Sequence, residues 1–550
     1  MSPASARKTR WKRHQLRPFA ITGVLCFAWA ILTDESLCYR GEPQKKPQQP
    51  KLLQKSWGLA PSLWKRFERL PMKESSFFEN MKHVLVHYTV QFSTGIDVQR
   101  AAALLAAGSS IGVGRNPLVK WSKFAESIGG VVYHLDPDQE EVRVAFSVVQ
   151  FDRSFVDGSV TMSSVLAMLL GSEPEGIESC EVKDIFFPIG FLRLFDGPHV
   201  NGQDLWRLMS RPRTGGGMIL GAVIRPKTGL LPDEFGTACL RVWKDCELIR
   251  SDSYHQNQVY CPVREVIPEV VRAMRSSIEG QQRQKFFIMT LATDDPDEMV
   301  ARGKFVLQLF GPLAPNCGFQ LAGPFTGLCS LTALRRAFPA QFLHYHAAGA
   351  VAVCGAQSKR SYSAFVHAKL ARLLGASSVL LAPDLQASKL IAGSGNMNQA
   401  LSQTASILCN DDCSGCSFQQ RWEGMKQSLP VLSGDLHALQ LPFLFAALGH
   451  SDVLITPTVS ASKKDVAPGA CSFRAAEEAW KCWRDSKREG ASDLSISDCL
   501  VERARTDANL REAFEANPGD ADTLCPGWRE SLLDVPGSNQ DQKETTPAEK

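Results

Sequence analysis

The stretch MILGAVIRPKTG, residues 218–229, and its successor CELIRSDS, residues 246–253, decide the fold. Each is a short apolar run that ends in charged or hydroxyl side chains, and the two stand too far apart for a hairpin. A helical pattern lies between them, so the pair reads as a βα unit feeding a parallel sheet. Working outward, the pattern recurs in FFIMTL near 288, GFQLA near 319, FLHYH near 344, SSVLLA near 380, PVLSG near 432 and DVLITP near 454. Eight such strands, each trailed by a helix, predict a closed (β/α)8 barrel rather than an open doubly wound sheet.

Upstream, the alternating HVLVHYTVQF (83–92), the helical QRAAALLAAG (99–108) and the strand-like GGVVYHLD (129–136) read as a small α/β domain. Downstream, FRAAEEAWKCW (473–483) is an amphipathic helix, its Trp and Phe at core spacing rather than arranged for stacking. The expected division is a presequence and linker at 1–75, an amino-terminal α/β domain at 76–210 and a barrel at 211–465. Carboxy-terminal helices follow at 466–533, with a disordered polar tail at 534–550.

Of the 550 residues, 44% are hydrophobic and 21% charged, enough apolar material for a large core. The 61 basic and 57 acidic side chains leave a net charge of +4, so no overall field argues for nucleic acid as a partner. Sixteen cysteines scattered over this length read as reduced thiols, not as the framework of a small secreted module. The basic cluster Arg7–Arg17 precedes the apolar run PFAITGVLCFAWAILT (18–33), an n-region and an h-region. That run is short for a permanent transmembrane helix, which favours a cleaved signal or marginal anchor and confines membrane contact to this segment. The Pro-, Gln- and Lys-rich stretch at 40–57 completes a two-part address that suits a plastid reached through the secretory route.

The strand ends also spell a resemblance. GAVIRPKTGLLPDEF (221–235), DDPDEMVARG (294–303), FPAQFLHYHAAG (338–349), QSKRSYSAFVHAKLARLLGAS (357–377) and NPGDADTLCPGWRE (517–530) resemble, in order and spacing, blocks of the form II Rubisco large chain. The resemblance implies a ferredoxin-like amino-terminal domain ahead of the (β/α)8 barrel. It also implies a homodimer, or a heterodimer with another large chain, in which each site is completed by the partner's amino-terminal domain. The family activity is carboxylation of ribulose bisphosphate with Mg2+, held by a carbamylated lysine, an aspartate and a glutamate.

At those positions this chain has Arg250, Asp252 and Ser253. A guanidinium is effectively never the neutral amine that attacks carbon dioxide, so the carbamate ligand is lost and magnesium binding is expected to be weak or absent. Arg225 stands at the first-strand lysine that moves protons, while Lys227 keeps the second lysine. His346 is retained, but Ala347 and Ala350 replace an arginine and a histidine that hold one phosphate. Ser433 and Gly434 persist at the other phosphate site, whereas Thr458, Val459 and Ser460 replace its glycine run. Leu380 replaces a histidine on strand six, and Lys389 stands near the place of the closing-loop lysine. On the partner-facing side, Gly108 replaces a glutamate and Ser172 an asparagine.

Losses fall on the metal, the base, both phosphate sites and the partner's residues, a pattern of retained scaffold and retired chemistry. The rival readings are an active carboxylase that retains a step on Lys227, His346 and Lys389, and an assembly or regulatory subunit paired with an active large chain. Cys409, Cys413 and Cys416 include a CxxC, but with no fourth zinc ligand and no thioredoxin-like frame they read as a reduced loop.

Overall fold

The computed structural model describes residues 82–112, 122–172, 174–213, 215–347, 349–354, 358–381, 395–434, 436–460, 467–490 and 494–533. The presequence, Lys389 and the polar tail fall outside them.

Strand β1 (His83–Phe92) alternates Val84, Val86, Tyr88 and Val90, all fully buried, so one face of it builds a core. Asp97 caps the next helix, Val98–Gly108, accepting from the Gln99 and Arg100 amides, and the helix buries Ala101, Ala102 and Leu105. Strands β2 (Val131–Asp136) and β3 (Glu141–Ser147), the helix Met162–Leu170 and β4 (Ile177–Phe186) complete a βαββαβ unit. Its antiparallel order β4-β1-β3-β2 is the ferredoxin-like arrangement.

The barrel closes from β5 (Ile219–Arg225), β6 (Leu248–Arg250), β7 (Phe286–Thr290), β8 (Cys317–Ala322) and β9 (Leu343–His346), followed in the ring by β11 (Ser378–Leu380), β14 (Leu429–Gly434) and β15 (Leu454–Ser460). Every neighbouring pair is parallel, and these are the eight runs read from the sequence. Ile219, Leu248, Phe286, Ile288, Phe342, Leu429, Val431 and Leu454 fill the lower interior with Trp206. At Gly318 a Cβ would meet the Phe342 carbonyl oxygen at 2.6 Å, so only glycine lets β8 and β9 close around this layer.

A further strand of the barrel segment, β10 (Arg360–Tyr362), leaves the barrel and pairs in parallel with β4. The two sheets are therefore tied through one chain crossing. A two-stranded hairpin of β12 (Asp412–Ser414) and β13 (Gln419–Arg421) carries Cys413 on a strand and Cys416 in its turn region. The segment expected as a loop is thus ordered by a ladder of cross-strand hydrogen bonds. Cys413 donates to the Ser406 hydroxyl and Cys416 to the Lys183 carbonyl, and both thiols are free. Beyond the barrel, the helix Ala467–Arg488 is bound to the barrel base by Arg474, which bridges Glu247 and the Met218 carbonyl. No helix among the described residues is long and apolar enough to cross a membrane.

Candidate active site at the barrel mouth

Two residues beyond the apolar layer, at the same inward phase of each strand, the barrel interior becomes polar. These positions are Arg250, Thr290, Gln320, His344, Ser433 and Thr456, joined by Ser378 at the start of β11. Arg250 is only 2% exposed, so its guanidinium lies inside the barrel. It donates through Nη1 to Gln320 Oε1 at 2.9 Å and through Nη2 to Ser433 Oγ at 3.0 Å. Ser433 Oγ donates to the Thr456 carbonyl at 2.8 Å, and Gln320 Nε2 donates to Thr290 Oγ1 at 3.0 Å. Burial pushes the Arg250 pKa down to about 10, with Asp252 opposing that shift and Arg225 adding to it. The group therefore stays cationic at neutral pH.

Above it, Arg225 at the end of β5 donates to the Asp252 carboxylate, and the Tyr254 amide donates to the other carboxylate oxygen at 3.3 Å. Lys227 is exposed at the rim, its Nζ 5.1 Å from the centre of the Tyr254 ring. His255 donates through Nε2 to the Pro226 carbonyl at 3.0 Å and accepts the Asp252 amide on Nδ1, which fixes its tautomer and joins the first two strand ends.

Ser253 Oγ and His346 Nδ1 lie 3.3 Å apart. Burial holds the His346 pKa well below its usual value, and the cations Arg250, Arg225 and Lys227 depress it further. An imidazole whose basicity is lowered in this way is a poor general base for the Ser253 hydroxyl. His344, deeper on the same strand, meets Ser378 Oγ at 2.9 Å and is likewise held neutral by burial.

At the positions where the resemblance places phosphate contacts, the structure has buried alanines and a continued strand. Ala347 and Ala350 are both fully buried and offer no side-chain donor. Gly434 ends β14 at φ +108°, a conformation that suits glycine. Thr458, Val459 and Ser460 continue β15 in register with Val223, Ile224 and Arg225, so a strand stands where a glycine-rich turn is expected. Leu380 is half-buried at the end of β11. Ser172 is half-buried and its backbone carbonyl accepts from Arg360 Nε at 3.2 Å, while Gly108 is the last residue of its helix.

The donor set does not fit magnesium. That ion needs several hard oxygen ligands, and here Asp252 is already neutralised by Arg225 while Arg250 adds a fixed positive charge below it. Among the described residues no three His, Cys, Asp or Glu side chains converge as a metal site. Gln320, Thr290 and Ser378 were missed from the sequence, although each is a polar letter at an inward position of an apolar strand.

Fold and mouth together define a mixed α/β protein, with a ferredoxin-like domain followed by a (β/α)8 barrel whose polar residues gather at the carboxyl ends of its strands. Residues 201–517 match the family model for the ribulose bisphosphate carboxylase large chain, catalytic domain, and residues 72–191 match that for its N-terminal domain. The chain belongs to the ribulose bisphosphate carboxylase large-chain family.

It is 40% identical over 471 residues to "Ribulose bisphosphate carboxylase, chloroplastic" of Heterocapsa triquetra, a match covering 85% of this chain and 62% of that one. A ribulose bisphosphate carboxylase of Symbiodinium sp. is 39% identical over 471 residues, 85% of this chain and 31% of that one. The chain thus spans 31% to 62% of these relatives' length. Against the Rhodobacter capsulatus enzyme it is 36% identical over 473 residues, covering 85% of this chain and 98% of the other. Among solved structures, the dimeric archaeal Rubisco from Hyperthermus butylicus shares the fold, with a TM-score of 0.65 at 24% identity over 79% of this chain and 96% of that chain.

Proposed function

We propose that this chain is a plastid-directed, form II-like member of the family that has kept the large-chain scaffold and lost most or all of the carboxylation chemistry. The observation that carries the reading is the fate of Asp252. It is the one retained metal-ligand position, and its carboxylate is held by Arg225 above a buried Arg250. A carbamate cannot form on a guanidinium, and the neighbouring Ser253 brings no charge. Neither phosphate position that became alanine has a donor, which weakens the case for ribulose bisphosphate as a ligand. The chloroplastic name of the Heterocapsa triquetra relative supports the plastid location.

The test is carboxylation of ribulose bisphosphate by the purified chain with magnesium and bicarbonate, beside an Arg225→Lys, Arg250→Lys, Ser253→Glu variant. The parent is expected to show no turnover above background. Magnesium-dependent turnover in the parent overturns the reading and restores the alternative of an active enzyme using Lys227, His346 and Lys389.

A second reading, that of an assembly or regulatory subunit in a mixed dimer with an active large chain, is favoured by the intact amino-terminal domain beside an altered mouth. Co-purification of tagged chain with an active large chain is its measurement. Homodimers alone would set it aside.

A further inference from the structure

We propose that Cys482 and Cys499 form a redox-active dithiol that a small disulfide oxidant closes into an intramolecular cross-link. The geometry comes from the hairpin of helices Ala467–Arg488 and Ile496–Thr506, which pack against one another on either side of a short connection. Across this hairpin Arg503 Nη2 meets Glu478 Oε2 at 2.6 Å. Cys482 lies four residues after Glu478 and Cys499 four residues before Arg503. Four residues are one helical turn, so in antiparallel helices the register set by that ion pair places the two cysteines opposite each other, one turn nearer the connection. The two side chains are close enough for Cys482 to raise the Cys499 pKa, and both thiols are free.

The pair is asymmetric. Cys482 is exposed, whereas Cys499 is 6% exposed and burial, aided by the neighbouring Cys482, pushes its pKa up to about 12. Cys482 is therefore the thiol an oxidant reaches, and Cys499 the one that resolves. With glutathione disulfide, the Cys482 thiolate attacks one sulfur and expels a glutathione thiolate. Cys499 then gives up its proton to solvent and attacks Cys482 Sγ, expelling the second glutathione. One protein disulfide forms, two protein thiols are consumed, and the oxidant is reduced to two thiols. Cys416, also exposed, instead donates to the Lys183 carbonyl, and its hairpin neighbour Cys413 to Ser406.

The experiment treats the native full-length chain with glutathione disulfide, then counts free thiols and maps peptides without reduction. Wild type is expected to lose two thiols, to yield a peptide cross-linked through Cys482 and Cys499, and to recover both with dithiothreitol. Hydrogen exchange in residues 467–506 slows on oxidation. Cys482→Ser, at an exposed position, loses neither thiol of the pair, and Cys499→Ala stops with glutathione on Cys482. If Cys499→Ala does not fold, the wild-type peptide map alone decides. A wild-type chain that keeps glutathione on Cys482, that leaves Cys482 unmodified, or that loses the same thiols with Cys482 replaced by serine overturns the proposal.

Discussion

Arg225 and Asp252, on consecutive strand ends of the barrel, are joined by a hydrogen-bonded ion pair whose side chains are 29% and 11% exposed. This pairing changes what restoring the family residues can achieve. Replacing Arg250 with lysine and Ser253 with glutamate supplies two missing ligand positions but leaves the retained aspartate neutralised.

The first prediction therefore concerns metal affinity. The Arg250→Lys, Ser253→Glu variant is expected to bind manganese no better than the parent, as read by electron paramagnetic resonance. Adding Arg225→Met frees Asp252 and is expected to tighten binding by roughly tenfold or more, about the effect of 1.4 kcal/mol. Equal binding by both variants would show that the Arg225 pair does not control the site. Arg250→Lys by itself also breaks the bonds to Gln320 and Ser433, at an expected cost of about 2 kcal/mol in urea unfolding.

The second prediction concerns Ala347 and Ala350, where the resemblance places phosphate-holding residues. Ala347 and Ala350 are fully buried, so Ala347→Arg and Ala350→His do not simply re-equip an open pocket. Each inserts a large polar group into packed interior, with overpacking alone costing about 1–3 kcal/mol and an unpaired charge more. The expected outcome is lower soluble yield and a lower melting temperature, with no gain in affinity for inorganic phosphate. A stable variant that gains affinity would mean that the mouth opens readily.

The barrel was legible because every one of its strands is an apolar run whose end changes character, and that pattern survives without knowledge of tertiary contacts. The hydrogen-bond network of the polar layer beneath the mouth was not, because its bonds join distant parts of the chain, such as Arg250 with Gln320 and with Ser433. What the sequence did offer there was a polar letter within each apolar run, Thr290, Gln320, His344 and Thr456, two residues beyond an interior apolar one. Strand β10 was hidden for a different reason. Its three residues RSY carry no alternation of their own and become a strand only through pairing with β4. The surrounding blocks place Arg250 and Ser253 at the end of the second barrel strand, but the pairing of Asp252 with Arg225 needed coordinates.

Acid sensitivity is the third prediction. His367 is 2% exposed, packed against the rings of Tyr345 and Tyr362, and burial pushes its pKa down to about 4. The unfolded chain takes up a proton near pH 6.5, so between there and about 4 the unfolded state binds more protons than the folded one. Stability is therefore unaffected by this group above about 6.5 and falls as pH drops toward 4, by roughly 3 kcal/mol in total. His87, with its pKa also lowered to about 4, chiefly by burial, acts in the same direction. Replacing His367 with phenylalanine should flatten part of the slope of unfolding free energy against pH. An unchanged slope would place the acid sensitivity elsewhere.

The last prediction tests what holds the amino-terminal sheet to the barrel. Lys369, on the helix Ala364–Leu373, donates to Asp184 Oδ1 on β4 at 3.0 Å, and neither side chain is exposed at all. The other Asp184 oxygen accepts the Ser417 and Phe418 amides at 3.2 and 3.1 Å, so one carboxylate joins strand, helix and the β12–β13 hairpin. A Cβ on Gly415 would lie 2.2 Å from Asp184 Oδ2, so only glycine lets the hairpin turn approach the carboxylate this closely. Lys369→Met strands a buried carboxylate and is expected to cost about 3–5 kcal/mol. Adding Asp184→Asn removes the stranded charge while its side-chain oxygen still accepts a backbone amide, so the double variant should be more stable than Lys369→Met alone. Urea unfolding of the two variants decides the point. If the double variant is the less stable, the penalty lies in the amide contacts of Asp184 rather than in its uncompensated charge, and the Lys369 ion pair is not what anchors the sheet.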